Sequence, residues 1–435
     1  MRGMGSRGRP LSRRALLATV GSAGLVSAPG CTGSPGVWGS GDDGAVTIEY
    51  VEVAGTRERE TFQPVVDELN AAYDEEITLE FTEIPYENMR SQLQTRVGGG
   101  NPPDVAAIDQ IWLGTFIDGG TLLTLDGVTD DLDVDDFLDP FVATATADGH
   151  HYAFPTTTDV RGMYWDREAF ADAGLDPDAP PETWPELLDV AEQLQDPPEC
   201  YGATYFVVGG RWTVNLFSAG GRVLDESGTE PCFQEDAGIR AASFLDRLYN
   251  QRGVGPPDPP YRDGAQTARE FLQGGAAITV VEGSWLDYFW RNLGNETAEM
   301  VDRFGFAPTP RAPDGETATM SGGHMWAGFE ATEHPHVVRD FIRVAAGREF
   351  MEHLATEVGQ IPTRESLLAE SAVWDEMVYG DTVHEMLAHT HLRPVRNWPV
   401  VAEALDPALQ AVAFGESTPT EALSSAAEDV RSNLQ

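Results

Sequence analysis

Between Val46 and about Gln110 the apolar residues of this chain switch back and forth between a period of two and a period near 3.6, and few architectures accept such a pattern. VTIEYVEV (46–53) alternates as a strand does, residues 58–73 carry Phe62, Val65, Val66, Leu69 and Tyr73 at helical spacing, and ITLEFTEI (77–84) alternates again. A helical stretch (86–97), a GGGNPP break, the apolar strand DVAAI (104–108) and a helix from about Gln110 follow. The alternation predicts an α/β layer built on a parallel sheet. In open α/β sheets ligands bind beyond the carboxyl ends of the strands, which selects Ala54 to Arg57 and Asp109 to Trp112 as the first places to look for a site.

Composition decides what the partner can be. With 41% hydrophobic residues and 10 Trp in 435 positions the chain can bury a core, although 71 acids face 28 bases for a formal charge of −43. A field of that sign repels polyphosphates and anionic headgroups, so nucleic acid and acidic membrane surfaces are poor partners, and a small molecule or another protein remains. Lys is absent and every base is Arg. The acids are spread evenly, in short pieces such as Asp130-Asp131 and Asp135-Asp136, and this resembles the surfaces of extreme halophiles. Self-repulsion there is screened by salt, the Debye length falling to about 3 Å at 1 M. The charge reads as adaptation, not as a cation-binding site.

The first 30 positions hold Arg2, Arg7, Arg9, Arg13 and Arg14 and no acid. An apolar stretch from Ala15 to Ala28 follows, shorter than the roughly 20 residues a membrane span needs but suited to a signal segment. The Arg13-Arg14 pair resembles a twin-arginine export signal. Ser27-Ala28-Pro29-Gly30-Cys31 resembles a lipoprotein cleavage box, with Ala28 and Pro29 where a large aliphatic residue is usual; simple secretion is the alternative to lipidation at Cys31. Residues 32–45, rich in Gly, Ser, Pro, Thr and Asp, form a flexible tether with a reach of about 20 Å. The expected location is extracytoplasmic, on the outer face of the cell membrane and held there by the lipid alone.

Five segments then carry a resemblance. NPPDVAAIDQIWLGTFIDGGTLLTL (101–125), HYAFPTTTDVRGMYWDREAFADAGLDPDAPPETWPELLDVAEQL (151–194), GGAAITVVEGSW (274–285), SGGHMWAGFEATEHPHVVRDFIRVAA (321–346) and GQIPTRESL (359–367) stand in the order seen in family 1 extracellular solute-binding proteins. These are the substrate-capturing lipoproteins of sugar-importing ABC transporters, similar to maltose-binding protein. The resemblance runs over most of residues 46–435. It implies a two-lobe, periplasmic-binding-protein-like α/β fold of type II, closing on its ligand about a hinge with multiple crossings. It places lobe one at about 46–157 and 309–360, and lobe two at about 158–308 and 361–435. FPTTTDV (154–160) and FAPTP (306–310) are extended, proline-marked segments that suit such crossings, or ordinary surface loops. The implied function is capture of a neutral sugar or oligosaccharide by a monomer and its delivery to an ABC permease, with no cofactor, no metal and no catalysis.

A neutral sugar offers hydroxyls and patches of C–H, so carboxylates and amides should hold its rim and aromatic rings its face. Asp109 and Gln110 stand in the slot where the family places polar sugar-binding side chains, and Asp159 is close to a family carboxylate position. Trp285, in EGSW, and Trp398, in RPVRNWPVV, match aromatics that stack on sugar. Arg57 with Gly55 and Thr56, Arg161, Glu282, the Gly322-Gly323-His324 turn, Trp326 and Arg364 complete the candidates. Each has a plainer alternative: Trp112, Trp285, Trp326 or Trp398 as core packing, Asp109 or Asp159 as a helix cap or hinge brace, Arg364 as the partner of one of many acids. The loop of Arg211 and Trp212, after Gly209-Gly210, suits the cleft or solvent equally.

Other chemistries have less to rest on. HEMLAHTH (384–391) spaces His384 and His389 five apart, which puts them off the shared helical face that a zinc-protease motif requires; a metal site drawn from His384, His389 and His391 is the alternative to three solvated His, and the solvated reading is the one taken. Nucleophile-elbow, P-loop and dinucleotide motifs are missing. A secreted glycan-active enzyme using two carboxylates remains an alternative in so acidic a chain, as does a same-fold receptor for a charged or phosphorylated ligand, which would call for several converging Arg. Cys200 and Cys232, exported together, are candidates for a disulfide worth about 3–4 kcal/mol, or for two buried thiols. Asn295-Glu296-Thr297 is a glycosylation sequon.

Overall fold

The computed structural model describes residues 45–205, 207–258, 264–375, 377–393 and 397–434; the side chains of Ala265, Glu282, Ser284, Trp285 and Tyr288 lie outside the description. The export signal, Cys31 and nearly all of the tether also fall outside it.

Thirteen strands are present among the described residues. They are β1 Val46–Val53, β2 Ile77–Ile84, β3 Val105–Asp109, β4 Thr146–Ala147, β5 His150–His151, β6 Phe154–Thr158, β7 Arg161–Asp166, β8 Ile278–Glu282, β9 Phe304–Pro308, β10 Thr319–Ser321, β11 Gly323–Gly328, β12 Ile361–Pro362 and β13 Thr390–Leu392. The helices α1 Gln63–Ala72, α2 Tyr86–Gly98 and α3 Gln110–Asp118 alternate with the first three strands, as the periodicity predicts. Residues 59–62 at the head of α1 wind as a tighter 3-10 turn, and Pro64 stands in the first turn of α1, where its missing N–H costs nothing.

A six-stranded sheet runs in the order β12-β6-β11-β3-β1-β2. β1 pairs in parallel with β2 over its whole length, Val46 opposite Ile77 through Val53 opposite Ile84, and in parallel with β3. The sheet is not parallel throughout, as the alternation alone predicts. β11 enters antiparallel between β3 and β6, so that His324 faces Asp109 across the ladder. Its residues come from far along the chain, beyond the reach of local periodicity.

The core under this sheet explains the local pattern. Tyr50 and Phe62 pack tilted with ring centroids 4.8 Å apart, and Phe341 and Phe350 close the group. Burying each such ring stabilises the fold by about 1.5–3 kcal/mol.

After β6 only Asp159 and Val160 separate the first sheet from β7 in a second one, ordered β8-β7-β9 and antiparallel at both contacts. Tyr164, Phe271, Phe304 and Phe306 fill its core. Gly162 lets β9 approach, because a Cβ there would lie 2.3 Å from the Phe306 ring. The chain returns through β10 into β11, and β13 pairs in parallel with β10. Two sheets joined by several short crossings therefore meet along one line, near Asp159, Gly322 and Arg393. Among the described residues no helix is long and apolar enough to cross a membrane.

Candidate ligand cleft

At the end of β3, Asp109 caps α3. One carboxylate oxygen accepts from the Ile111 N–H at 3.1 Å and the other accepts from the Tyr86 hydroxyl at 2.7 Å. Burial, and then the neighbouring Asp109 charge, push the Tyr86 hydroxyl well above its ordinary pKa, so it stays a donor. The Tyr86 ring lies 5.0 Å from Trp112 and meets His324 edge-on at 6.5 Å. Gln110 follows. Its side chain is fully buried, and neither its amide oxygen nor its amide nitrogen has a hydrogen-bond partner. His324, half-buried on β11, likewise keeps an unpartnered Nε2. Buried amides are normally satisfied, so Gln110 and His324 hold polar atoms that the protein itself leaves without a partner.

The crossing supplies the floor. Asp159 accepts from Arg161 Nη1 at 2.5 Å and from the Gly322 N–H at 3.0 Å, while Arg161 also donates to the Met320 carbonyl at 2.9 Å. Gly322 stands where the charges converge: a Cβ there would lie 3.4 Å from Asp159 Oδ2, 3.5 Å from Arg161 Nη2 and 3.5 Å from Arg393 Nη2.

The opposite wall comes from the C-terminal part. Arg393, directly after β13, lies over the Trp398 ring at 5.0 Å, and Trp398 opens the helix Trp398–Ala413. Gly210, in the first turn of the helix Gly209–Ser218, passes close by: a Cβ there would be 3.0 Å from Arg393 Nη1 and 3.7 Å from Trp398. Asp406 accepts from the Gly209 N–H at 2.6 Å, and burial pushes its carboxyl above the usual range. Beside these residues a recess of about 950 Å³ is lined by α3, the Asp139–Ala145 helix, the β4–β5 hairpin, Leu392 and Arg393, which is the size of a small-ligand site.

Of the sequence candidates, Asp109, Gln110, Asp159, Arg161, Gly323, His324 and Trp398 gather along the line where the sheets meet. Asp109 does cap its helix and Asp159 does brace the crossing, so those two serve the fold as well. Gly323 serves backbone approach, since a Cβ there would lie 2.6 Å from the Thr157 carbonyl.

Three candidates are corrected by burial. Arg57 pairs with Glu52 at 2.7 Å, both side chains fully buried, and donates to Gln360 and Thr156. Trp326 is completely buried, its indole N–H on the Tyr50 hydroxyl at 3.2 Å. Arg364 pairs with Asp136 at 3.0 Å, donates to the Leu132 and Ala346 carbonyls, and lies over Phe137. All three hold core or loops together. The disulfide is also corrected: Cys200 and Cys232 are free thiols, touching the Tyr201 and Glu230 carbonyls.

The remaining candidates divide simply. The side chains of Trp285 and Glu282 lie outside the description; the Glu282 backbone pairs opposite Arg161. Trp212 is buried beside a water-sized cavity of about 10 Å³ with Asn215. Among the described residues no cluster could hold a metal ion; His384 stacks on Trp374 and His391 on Phe217. Sequence reasoning missed Tyr86 and Arg393. Tyr86 sits just past the carboxyl end of β2, where the strand-end rule could have found it. Arg393 lies in the same RPVRNW stretch as Trp398, and nothing local marks it.

Two α/β layers meeting at a polar line with aromatic walls define a two-lobed binding protein. The chain belongs to the bacterial extracellular solute-binding protein family, whose model matches residues 54–352. The maltotriose-binding protein of Pyrococcus abyssi is 25% identical over 356 residues, covering 78% of this chain and 70% of that one. Among solved structures, an ABC transporter solute-binding protein from Thermotoga lettingae bound with α-D-tagatose superposes with a TM-score of 0.79 at 23% identity, covering 89% of this chain and 100% of the other. UgpB from Mycobacterium tuberculosis in complex with glycerophosphocholine gives 0.75 at 19%, covering 90% and 99%. These likenesses show the two-lobe fold. The family is one of binding proteins, which sets the glycan-degrading alternative aside: the chain is not an enzyme.

Proposed function

We propose that this protein captures a sugar or oligosaccharide between its two lobes, outside the cytoplasm, and delivers it to the membrane subunits of an ABC importer. The observation that carries this reading is Gln110, a fully buried amide at a strand end with both polar atoms unpartnered. Leaving a buried polar group unmade costs about 1–3 kcal/mol, and a ligand hydroxyl, which both donates and accepts, answers an amide on both counts. Tyr86, half-buried against Trp112, offers an aromatic face for C–H patches, while Trp112 and Trp398 back the site from the core. Relatives named for maltotriose and for arabinooligosaccharide support the ligand class.

Ligand contacts from both walls exist together only when the lobes are closed, so binding shifts the population toward the closed state that a permease would read. Lobe one is assigned to about 46–157 and 309–360 and lobe two to the rest, with Thr158, Ile361 and Pro362 moved to lobe one because β6 runs to Thr158 in the first sheet and β12 pairs with it there. Lipidation at Cys31, twin-arginine export, an acidic surface suited to high salt and a monomeric state complete the proposal.

The test is thermal unfolding of the full chain in molar salt against mono-, di- and oligosaccharides. A ligand at 100 times its dissociation constant adds about 2.7 kcal/mol of stability. One sugar class should raise the melting point and be recovered uncleaved; silence from every sugar contradicts the proposal.

A further inference from the structure

We propose that Asn295 is the attachment point of an N-linked oligosaccharide, added on the outer side of the cell membrane. The proposal uses the extracytoplasmic placement of the chain and not the identity of its ligand.

Of the nine Asn in the sequence, Asn295 alone is followed two places on by Ser or Thr, and the residue between them, Glu296, is not Pro. Three residues make a site only where the fold lets an enzyme reach them. These lie on a surface turn. The helix Gly283–Asn292 ends there, Arg291 to Gly294 are all exposed, and Gly294 takes the left-handed conformation, φ 85°, as the chain reverses into the helix Thr297–Arg303.

The turn is built without help from the Asn295 side chain. The Gly294 N–H donates to the Arg291 carbonyl at 2.8 Å, and the Trp290 indole N–H donates to the Glu296 carbonyl at 2.9 Å. Asn is commonly selected in turns for a left-handed backbone or as a helix cap. Asn295 has neither role: its φ is not positive, and the next helix starts after Glu296 with no side-chain cap. Its Nδ2 reaches the Trp290 carbonyl at 3.5 Å, the outer limit of a hydrogen bond, and among the described residues its Oδ1 makes none. The fold therefore leaves this amide nitrogen available as an acceptor of sugar. The Thr297 hydroxyl donates to Asp287 at 2.6 Å, and Arg291 holds the other oxygen of Asp287 at 2.9 Å. A transferase that recognises the hydroxyl replaces one bond at the frayable first residue of a seven-residue helix.

The position also keeps an oligosaccharide off the cleft. The helix Gly283–Asn292 begins beside the crossing, where the Glu282 backbone pairs opposite Arg161. At about 1.5 Å per residue its ten residues carry the other end roughly 15 Å away. At that end Leu293 is 46% exposed, and it offers apolar surface to the C–H face of the first sugar.

The donor is a sugar carried on a lipid phosphate at the outer face of the membrane. Asn295 Nδ2 attacks the anomeric carbon. The C–N bond forms as the C–O bond to phosphate breaks, the lipid phosphate leaves with that electron pair, and the amide nitrogen gives up one proton. Nothing is oxidised or reduced.

The test is mass spectrometry of the full chain isolated from the cells that naturally make it, after separation of membrane-bound, secreted and cytoplasmic fractions. Trypsin, cutting after Arg291 and Arg303, releases residues 292–303. That peptide should carry an added mass of whole sugar residues, lost stepwise on fragmentation, with the first sugar remaining on Asn295. Asn295→Gln and Thr297→Ala, each produced in the same cells, should lose the whole increment, whereas Thr297→Ser should keep it. Two independent substitutions keep the test open if one of them fails to fold.

An unmodified peptide in chain recovered outside the cytoplasm overturns the inference and leaves the receptor reading standing. An increment that survives Asn295→Gln, which places the sugar on Thr297 or elsewhere, overturns it too. Chain recovered only from the cytoplasm overturns the extracytoplasmic placement and the inference with it.

Discussion

Replacing Arg57 by Met separates a fold role from a ligand role at a strand end where both are plausible from sequence. In the structure Arg57 Nη1 is 2.7 Å from Glu52 Oε2 with both side chains at 0% exposure, and its other nitrogens reach Gln360 at 3.0 Å and Thr156 at 3.1 Å. Glu52 also accepts from the Tyr50 hydroxyl at 2.6 Å and the Val53 N–H at 2.9 Å, so it stays in place when the Arg is gone. An abandoned buried carboxylate costs about 3–5 kcal/mol. A body of about 390 residues at about 2.1 cal/mol/K each has an unfolding entropy of about 0.8 kcal/mol/K, so the melting point should fall by about 4–6 °C. Adding Glu52→Gln removes the charge and keeps an acceptor oxygen for one of the two donors, the Tyr50 hydroxyl or the Val53 N–H. The double variant should regain at least about 1.5 kcal/mol, read as a coupling energy by calorimetry in molar salt. Ligand affinity of the folded single variant should stay within threefold. A single variant within about 1 kcal/mol of the parent, or one that keeps its stability and loses ligand tenfold, refutes the reasoning.

Other expectations follow from the same contacts. Gln110→Leu removes an unpartnered buried amide, so it should leave stability unchanged or raise it by about 1 kcal/mol while weakening ligand at least about tenfold, measured by melting and titration on the same sample. Reductant should not move the melting point, because Cys200 and Cys232 are free; a closed disulfide would instead drop it by about 4 °C for the roughly 3–4 kcal/mol such a loop is worth. Burial pushes the Asp136 carboxyl up, but hydrogen bonds from Ser366 and Arg364 outweigh it and hold the pKa below the ordinary value. A depressed folded pKa gives stability that is present above the unfolded pKa near 3.9 and lost as pH falls through the folded one, so the parent should lose more stability than Asp136→Asn on acidification below about pH 4. Equal losses would contradict the assignment.

Local pattern made part of this legible. β1, α1, β2, α2, β3 and α3 show in the sequence because each buries one face against one layer, and Asp109 and Gln110 show because they end a strand in such a layer. The place of β11 between β3 and β6 does not show, because β3 and β11 lie some two hundred residues apart and no periodicity encodes a partner at that distance. For the same reason Trp326 and Trp398 look alike in sequence. Both are buried, one against Tyr50 and the other beneath Arg393, and only the far-off neighbour decides which. Arg393 itself is invisible among 28 Arg until the partners of the others are seen.

The most direct test of the central claim is a crystal structure of the full chain with the tightest ligand from the melting panel. The account predicts the ligand between the two walls, a hydroxyl on the Gln110 amide and the ring or chain against Tyr86. A ligand bound elsewhere, with Gln110 left as it is, would contradict it.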